Sequence, residues 1–188
     1  MKTSVMFAML FFLITGLSSG QNLTGKGTYS INGTISFTSY SEEGVSNNTS
    51  LFNFSPGADY FIVDNFSLGL RVNLQDVKYG GSSTTSWSLG PSARFYLGKE
   101  PAKPFFMLGY AYGKQSSSVS SDEITESDIK LGAGFDYFLT DNVALEAIAS
   151  YTFMNIKYPS TNTYYLAASR EVNSKALAVG IGINVFLR

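Results

Sequence analysis

The chain contains no cysteine and no histidine. Their absence excludes disulfides, thiolate chemistry, zinc sites and any catalytic triad that depends on histidine. Charge is also scarce: 14% of the 188 residues are Asp, Glu, Lys or Arg, against about a quarter in an ordinary soluble domain. Something other than water must therefore cover part of the exterior. The net charge of -1 offers no basic stripe for nucleic acid. Nowhere are there 18 consecutive apolar residues, so no transmembrane helix is expected. Aromatic residues, in contrast, make up 15% of the chain, which argues against disorder.

The first residues read as an export signal. Lys2 supplies a positive start, and the apolar stretch from Val5 to Leu17 is too short to span a bilayer as a helix. Ser18 and Gly20 provide the small residues for cleavage before Gln21. The expected organisation is a signal peptide over 1–20 and one domain over 21–188.

Nearly all of that domain alternates with period two, as a strand with one apolar face does. Leu177, Val179, Ile181, Ile183, Val185 and Leu187 share one parity, and Ala176, Ala178, Gly180, Gly182 and Asn184 the other. The same pattern runs through Tyr29–Phe37, Phe66–Leu74, Trp87–Leu97, Phe106–Tyr112, Ile129–Tyr137 and Val143–Phe153, where Ile148 and Met154 break the clean division. It is weakest from Leu51 to Ile62, where Pro56 interrupts. Eight strands are expected. Short connections at Asp64-Asn65, Gly98 to Pro104 and Thr140-Asp141-Asn142 alternate with longer polar stretches at Ser39 to Asn48, Asp76 to Thr84, Gln115 to Ser127 and Tyr158 to Asn173. This order predicts an all-β fold, an eight-stranded antiparallel up-and-down transmembrane β-barrel with short periplasmic turns and long external loops.

A soluble eight-stranded barrel would alternate too, but it would need an outer face rich in Lys and Glu. Here the non-apolar parity is Gly, Ser, Ala, Asn and Thr, which suits a narrow interior. The apolar parity is bulky, with Trp87, Tyr110, Tyr112, Tyr151 and Phe153 toward the loops and Tyr60, Phe66, Phe95, Phe106 and Tyr137 toward the turns. Two aromatic girdles are expected of a barrel in a bilayer.

The tracts Gly25-Lys26-Gly27-Thr28-Tyr29, Pro56-Gly57-Ala58-Asp59-Tyr60-Phe61, Asp64-Asn65-Phe66-Ser67-Leu68-Gly69-Leu70 and Leu131-Gly132-Ala133-Gly134-Phe135-Asp136-Tyr137-Phe138 resemble the bacterial outer-membrane β-barrel protein family. Its members include OmpX-like barrels, OmpA-transmembrane-like barrels and small porin-like barrels. The resemblance covers the whole domain and implies the outer membrane of a Gram-negative bacterium. Gly182, Val185 and Leu187 match the spacing of the family's assembly signal, although the terminal aromatic is replaced by Arg188. Recognition by the barrel-assembly machinery is implied. Family-related barrel proteases, phospholipases and deacylases use a catalytic histidine that this chain lacks, so no enzymatic activity and no cofactor are expected.

Parity also assigns the charges. Asp59, Arg71, Arg94, Lys130, Asp136 and Glu146 fall on the inward set. All but Lys130 lie at a similar distance from the turns and should share a layer. Buried charges must pair, and arginine-to-carboxylate contacts are the expected solution. The layer reads either as a salt-bridged plug or as an ion gate. Lys78, Lys114, Lys157 and Lys175 sit at loop ends on the lipid-facing parity, where they either snorkel or meet lipopolysaccharide phosphates. The loops lean acidic through Glu42, Glu43, Asp76, Asp122, Glu123 and Glu126, and no calcium-loop spacing or metal site is present. Pro56 and Pro91, on the lipid-facing parity of adjacent segments, suggest either a gap in hydrogen bonding or bulges.

The expected role is structural or surface-interacting, in adhesion or envelope integrity, with the lumen plugged. The alternative is a narrow porin-like channel passing small solutes or apolar molecules. Expected partners are outer-membrane lipid, lipopolysaccharide and an extracellular ligand held by the loops, with no nucleic acid and a monomeric state.

Overall fold

The computed structural model describes residues 23–42, 49–79, 82–98, 101–117, 124–158 and 170–188. The expected signal peptide over 1–20 lies outside the described residues, as do Glu43, Asp122 and Glu123. Eight strands follow in order: β1 (Tyr29–Glu42), β2 (Thr49–Val63), β3 (Phe66–Tyr79), β4 (Ser82–Tyr96), β5 (Ala102–Ser117), β6 (Ile124–Phe138), β7 (Val143–Tyr158) and β8 (Arg170–Leu187). Each pairs antiparallel with its neighbours, and β1 pairs with β8 from Tyr29↔Leu187 to Glu42↔Ser174, closing the barrel.

The period-two pattern becomes the two faces of this wall. Ile31, Leu70, Leu108, Ile129, Val179 and Ile181 all point outward and are exposed. Their alternates point in: Ser30, Asn32, Thr34, Ser67, Ser88, Ser92, Ser150 and Thr152 are buried. A continuous apolar exterior around a polar interior inverts the soluble barrel and matches a wall solvated by lipid.

The strands run from 14 to 18 residues, longer than the roughly 10 that a tilted strand needs to cross a bilayer. Much of what the composition marks as loop is therefore ladder. Val77 pairs with Thr84 and Tyr79 with Ser82, Gln115 pairs with Ile124, and Tyr158 pairs with Arg170. Ser and Thr sustain a ladder once the hairpin below has set the register, and their polarity reports water rather than irregular backbone. Glu126, expected in a loop, is an inward-lining residue of β6.

The two prolines also differ from expectation. Pro56 lies in β2 and Pro91 in β4, with β3 between them, so their segments are not adjacent. Pro56 keeps its pairing with Gly33 of β1, but the β2–β3 register passes from Phe54↔Leu74 to Gly57↔Arg71. Pro91 keeps Leu70 of β3, and the β4–β5 register passes from Leu89↔Tyr112 to Ser92↔Gly109. Each proline interrupts a different seam, on the side where its missing N–H would have donated. The intact β3–β4 ladder separates the two interruptions.

At the turn end the interior is apolar. Phe61, Tyr96, Phe105, Met107, Phe138, Ala144, Ile148 and Phe186 meet there, and Leu23 inserts among them from the segment before β1. That segment crosses the mouth of the barrel and is tied to the β2–β3 turn. Asn65 N donates to Thr24 O at 2.6 Å, Lys26 N to Asp64 Oδ1 at 2.7 Å, and Gly27 N to Phe61 O at 2.9 Å. Asn65 takes a positive φ of 62° in this turn, a conformation that Asn tolerates better than most residues.

Candidate functional site

Above the aromatic cork lies a charged layer built from five strands. β2 contributes Asp59, β3 Arg71, β4 Arg94, β6 Asp136 and β7 Glu146, each at an inward position. Arg71 Nη2 stands 3.3 Å from Asp59 Oδ2, Arg94 Nε 4.0 Å from the same oxygen, and Arg94 Nη1 2.6 Å from Glu146 Oε2. Asp136 joins through neutral groups: Tyr96 OH donates to its Oδ2 at 3.0 Å, and Asn184 Nδ2 donates to its Oδ1 at 2.7 Å. The same Asn184 amide reaches Glu146 Oε2 at 3.1 Å. Lys130 points into the lumen one level nearer the loops, beside Glu126 and Asp128.

Sequence reasoning missed several members of this network. Asn32 Nδ2 donates to Asp59 Oδ2 at 2.7 Å and Asn32 Oδ1 accepts from Arg71 Nη1 at 2.9 Å, so one amide bridges an ion pair. Thr34 Oγ1 donates to Glu146 Oε1 at 2.7 Å. Lys103, which falls within the expected turn from Gly98 to Pro104, is the second residue of β5 and is buried, in register with Asp136 and donating to Thr24 Oγ1 at 2.7 Å. With Lys103 the layer holds three acids and three bases, and it is formally neutral. The Arg94 guanidinium carbon also lies 4.6 Å above the Phe105 ring, which joins the charged layer to the cork.

The aromatic cork itself was legible in one respect only. Tyr60-Phe61, Phe95-Tyr96, Phe105-Phe106 and Tyr137-Phe138 are consecutive bulky pairs at strand ends. With period two, one of each pair must face inward.

Glycine makes room for the layer. Gly69 of β3 faces Asp59 in register, and a Cβ there would collide with the Asp59 carboxylate and the Ala58 carbonyl. Toward the loop end the lumen opens into a polar vestibule of about 60 Å³ lined by Asn53, Asn73, Gln75, Glu126, Asp128 and Lys130. A smaller space of about 30 Å³ lies beneath it, against Arg71 and Glu146. These volumes suit a small number of waters. Among the described residues, no group of three or more His, Cys, Asp and Glu could hold a metal ion.

The rim lysines separate. Lys157 is exposed and lies 3.8 Å from Glu171 across the β7–β8 seam. Lys175 is exposed on the outer wall, in register with Phe153, and Lys114 is half-buried in register with Trp87. The backbone of Lys78 pairs with Ser83.

A closed antiparallel barrel with an apolar exterior and a buried, hydrogen-bonded charge layer across its lumen defines a small transmembrane barrel without a wide channel. Residues 7–184 match the family described as the outer membrane protein beta-barrel domain, and the chain belongs to that family. Its place is the bacterial outer membrane. No curated protein matches the chain in sequence. Among solved structures, Neisserial surface protein A is similar at 18% identity and a TM-score of 0.67, over 85% of this chain and 99% of that one. The outer membrane protein OprG from Pseudomonas aeruginosa is similar at 14% identity and a TM-score of 0.61, over 90% and 100%. Ail, the attachment invasion locus protein of Yersinia pestis, is similar at 15% identity and a TM-score of 0.55, over 86% and 99%. At these identities the likeness is one of fold.

Proposed function

We propose that this protein is a closed-lumen surface barrel, exported with a signal peptide cleaved before Gln21 and acting as a monomer in adhesion or envelope integrity rather than in transport. The observation that carries this reading is the bridge of Arg71 and Arg94 between Asp59 and Glu146, seated on the aromatic cork that Leu23 completes. The ion pairs among Asp59, Arg71, Arg94 and Glu146 favour a closed lumen, because opening them would strand charges in a narrow, poorly hydrated space. An ion gate would need a member free to move, whereas Asp59 and Glu146 each accept bonds from several fixed neighbours.

Surface interaction is supported by the fold's use elsewhere: Ail has been solved in complex with the heparin analogue sucrose octasulfate. The strands of this chain, at 14 to 18 residues, are long enough to lift its external end beyond the bilayer. The test is planar-bilayer recording of the purified protein. Closed-lumen function predicts no stable unitary currents, and reproducible single-channel steps would overturn it in favour of the narrow channel.

A further inference from the structure

Above the paired layer, β6 turns three charged side chains into the vestibule from one face: Glu126, Asp128 and Lys130. The layer beneath is joined by ion pairs of Arg71 and Arg94 with Asp59 and Glu146. Among the described residues, none of the three on β6 enters such a pair. The neighbouring strands give them little to pair with. In register with them stand Gly109, Ala111 and Gly113 of β5, and Thr152, Met154 and Ile156 of β7. Across the lumen, the Asn73 amide is already engaged: its Nδ2 donates to Ser88 Oγ at 2.9 Å, and its Oδ1 accepts from Ser55 Oγ at 2.8 Å.

Both signs of charge are therefore left wanting. Asp128 Oδ1 is buried with no hydrogen-bond partner. The Glu126 carboxylate adjoins that of Asp128, and two adjoining carboxylates repel unless a donor lies between them. Lys130 is enclosed by the barrel, lines both the vestibule and the smaller space beneath it, and has no hydrogen-bond acceptor among the described residues. Enclosed charges are costly without a partner. A bare acidic pair would call for a simple cation, but Lys130 opposes one and needs an anion of its own. Residues on one face of a strand recur about every 7 Å, so the triad asks for a compact ligand carrying both signs.

We propose that the vestibule binds a small zwitterion, an α-amino acid with a side chain no larger than a methyl group. Its ammonium donates to Glu126 and to Asp128 Oδ1, and its carboxylate meets Lys130. The vestibule's volume of about 60 Å³ corresponds to about four to six water-sized groups, which limits the ligand to this size. Gly109, Ala111 and Gly113 leave the space beside the triad open. The ligand enters from the loop end and rests above the paired layer, so the site is independent of whether the lumen conducts.

The test is saturation-transfer NMR of the full-length barrel in detergent, titrated separately with alanine, alaninamide and propionate. The three are similar in size, but alaninamide offers only the ammonium and propionate only the carboxylate. Alanine should bind saturably and about tenfold more tightly than either, as the loss of a charge-assisted hydrogen bond implies. Asp128→Asn should weaken alanine binding by about tenfold. Lys130→Met should cancel the preference, so that alaninamide binds as well as alanine or better. Lys26→Glu, at the opposite end of the barrel, should change neither. Folding of each variant is read from its heat-dependent gel mobility, and if one β6 variant does not fold, the other and the wild-type order of ligands decide. Tighter binding of alaninamide than of alanine to the wild type would reveal a simple cation site and overturn the proposal. So would the absence of saturable alanine binding, an alanine affinity unchanged by Asp128→Asn, or a preference for alanine that survives Lys130→Met.

Discussion

Arg94 of β4 reaches across the lumen to Glu146 of β7, Nη1 to Oε2 at 2.6 Å, with both side chains fully buried. Strands far apart around the wall are thereby joined through the centre of the barrel. Removing the cation leaves Glu146 and Asp59 without their shared partner. Arg94→Met should destabilise the folded barrel by about 3–5 kcal/mol, the usual consequence of stranding a buried charge. Urea unfolding in vesicles measures this, and Arg94→Met combined with Glu146→Gln should recover part of the loss.

Two glycines of the interior should respond differently to the same small change. A methyl at Gly69 would collide with the Asp59 carboxylate and with backbone, so Gly69→Ala should displace Asp59 and cost about 1–3 kcal/mol. At Gly109 the nearest atoms to an added Cβ lie at 3.8 and 3.9 Å, and Gly109→Ala should be close to neutral. Unfolding midpoints of the two variants provide the comparison.

Neighbouring aromatics on one strand should likewise part ways. Phe105 is 1% exposed and Phe106 is 58% exposed. Phe105→Ala opens a cavity in the cork and should cost about 3–5 kcal/mol, whereas Phe106→Leu only exchanges one lipid-facing apolar group for another. An equal loss from both would contradict the assignment of inside and outside.

The native absence of cysteine permits a clean test of orientation. A single cysteine at Lys157, exposed at the loop end, should react with a membrane-impermeant maleimide on intact cells. One at Asp141, exposed in the β7-preceding turn, should react only after the outer membrane is permeabilised. The reverse pattern would invert the barrel.

The wall was legible because period two has a direct geometric meaning: Leu177 to Leu187 can face lipid together only as a strand. The inward charges Asp59, Arg71, Arg94 and Glu146 were legible for the same reason. Parity does not reveal which inward groups touch, because lumen contacts join strands distant in sequence. Thr34 and Glu146 lie 112 positions apart, and no local pattern relates them. Lys103 was hidden by Pro101 and Pro104, which signal a turn more strongly than one buried lysine signals a strand. Strand ends were obscured in the opposite way, since Ser82 to Ser86 carry loop composition on paired backbone.

The seat of Leu23 and Thr24 carries a temporal consequence. Thr24 Oγ1 donates to Asn65 Oδ1 at 2.6 Å and accepts from Lys103 Nζ at 2.7 Å, while Leu23 packs in a cluster that includes Phe186 of β8. Its socket draws on both ends of the wall and is complete only when β8 has closed on β1 and brought Phe186 into the cluster. Full protection of this short segment from a protease should therefore report that the ring behind it is closed.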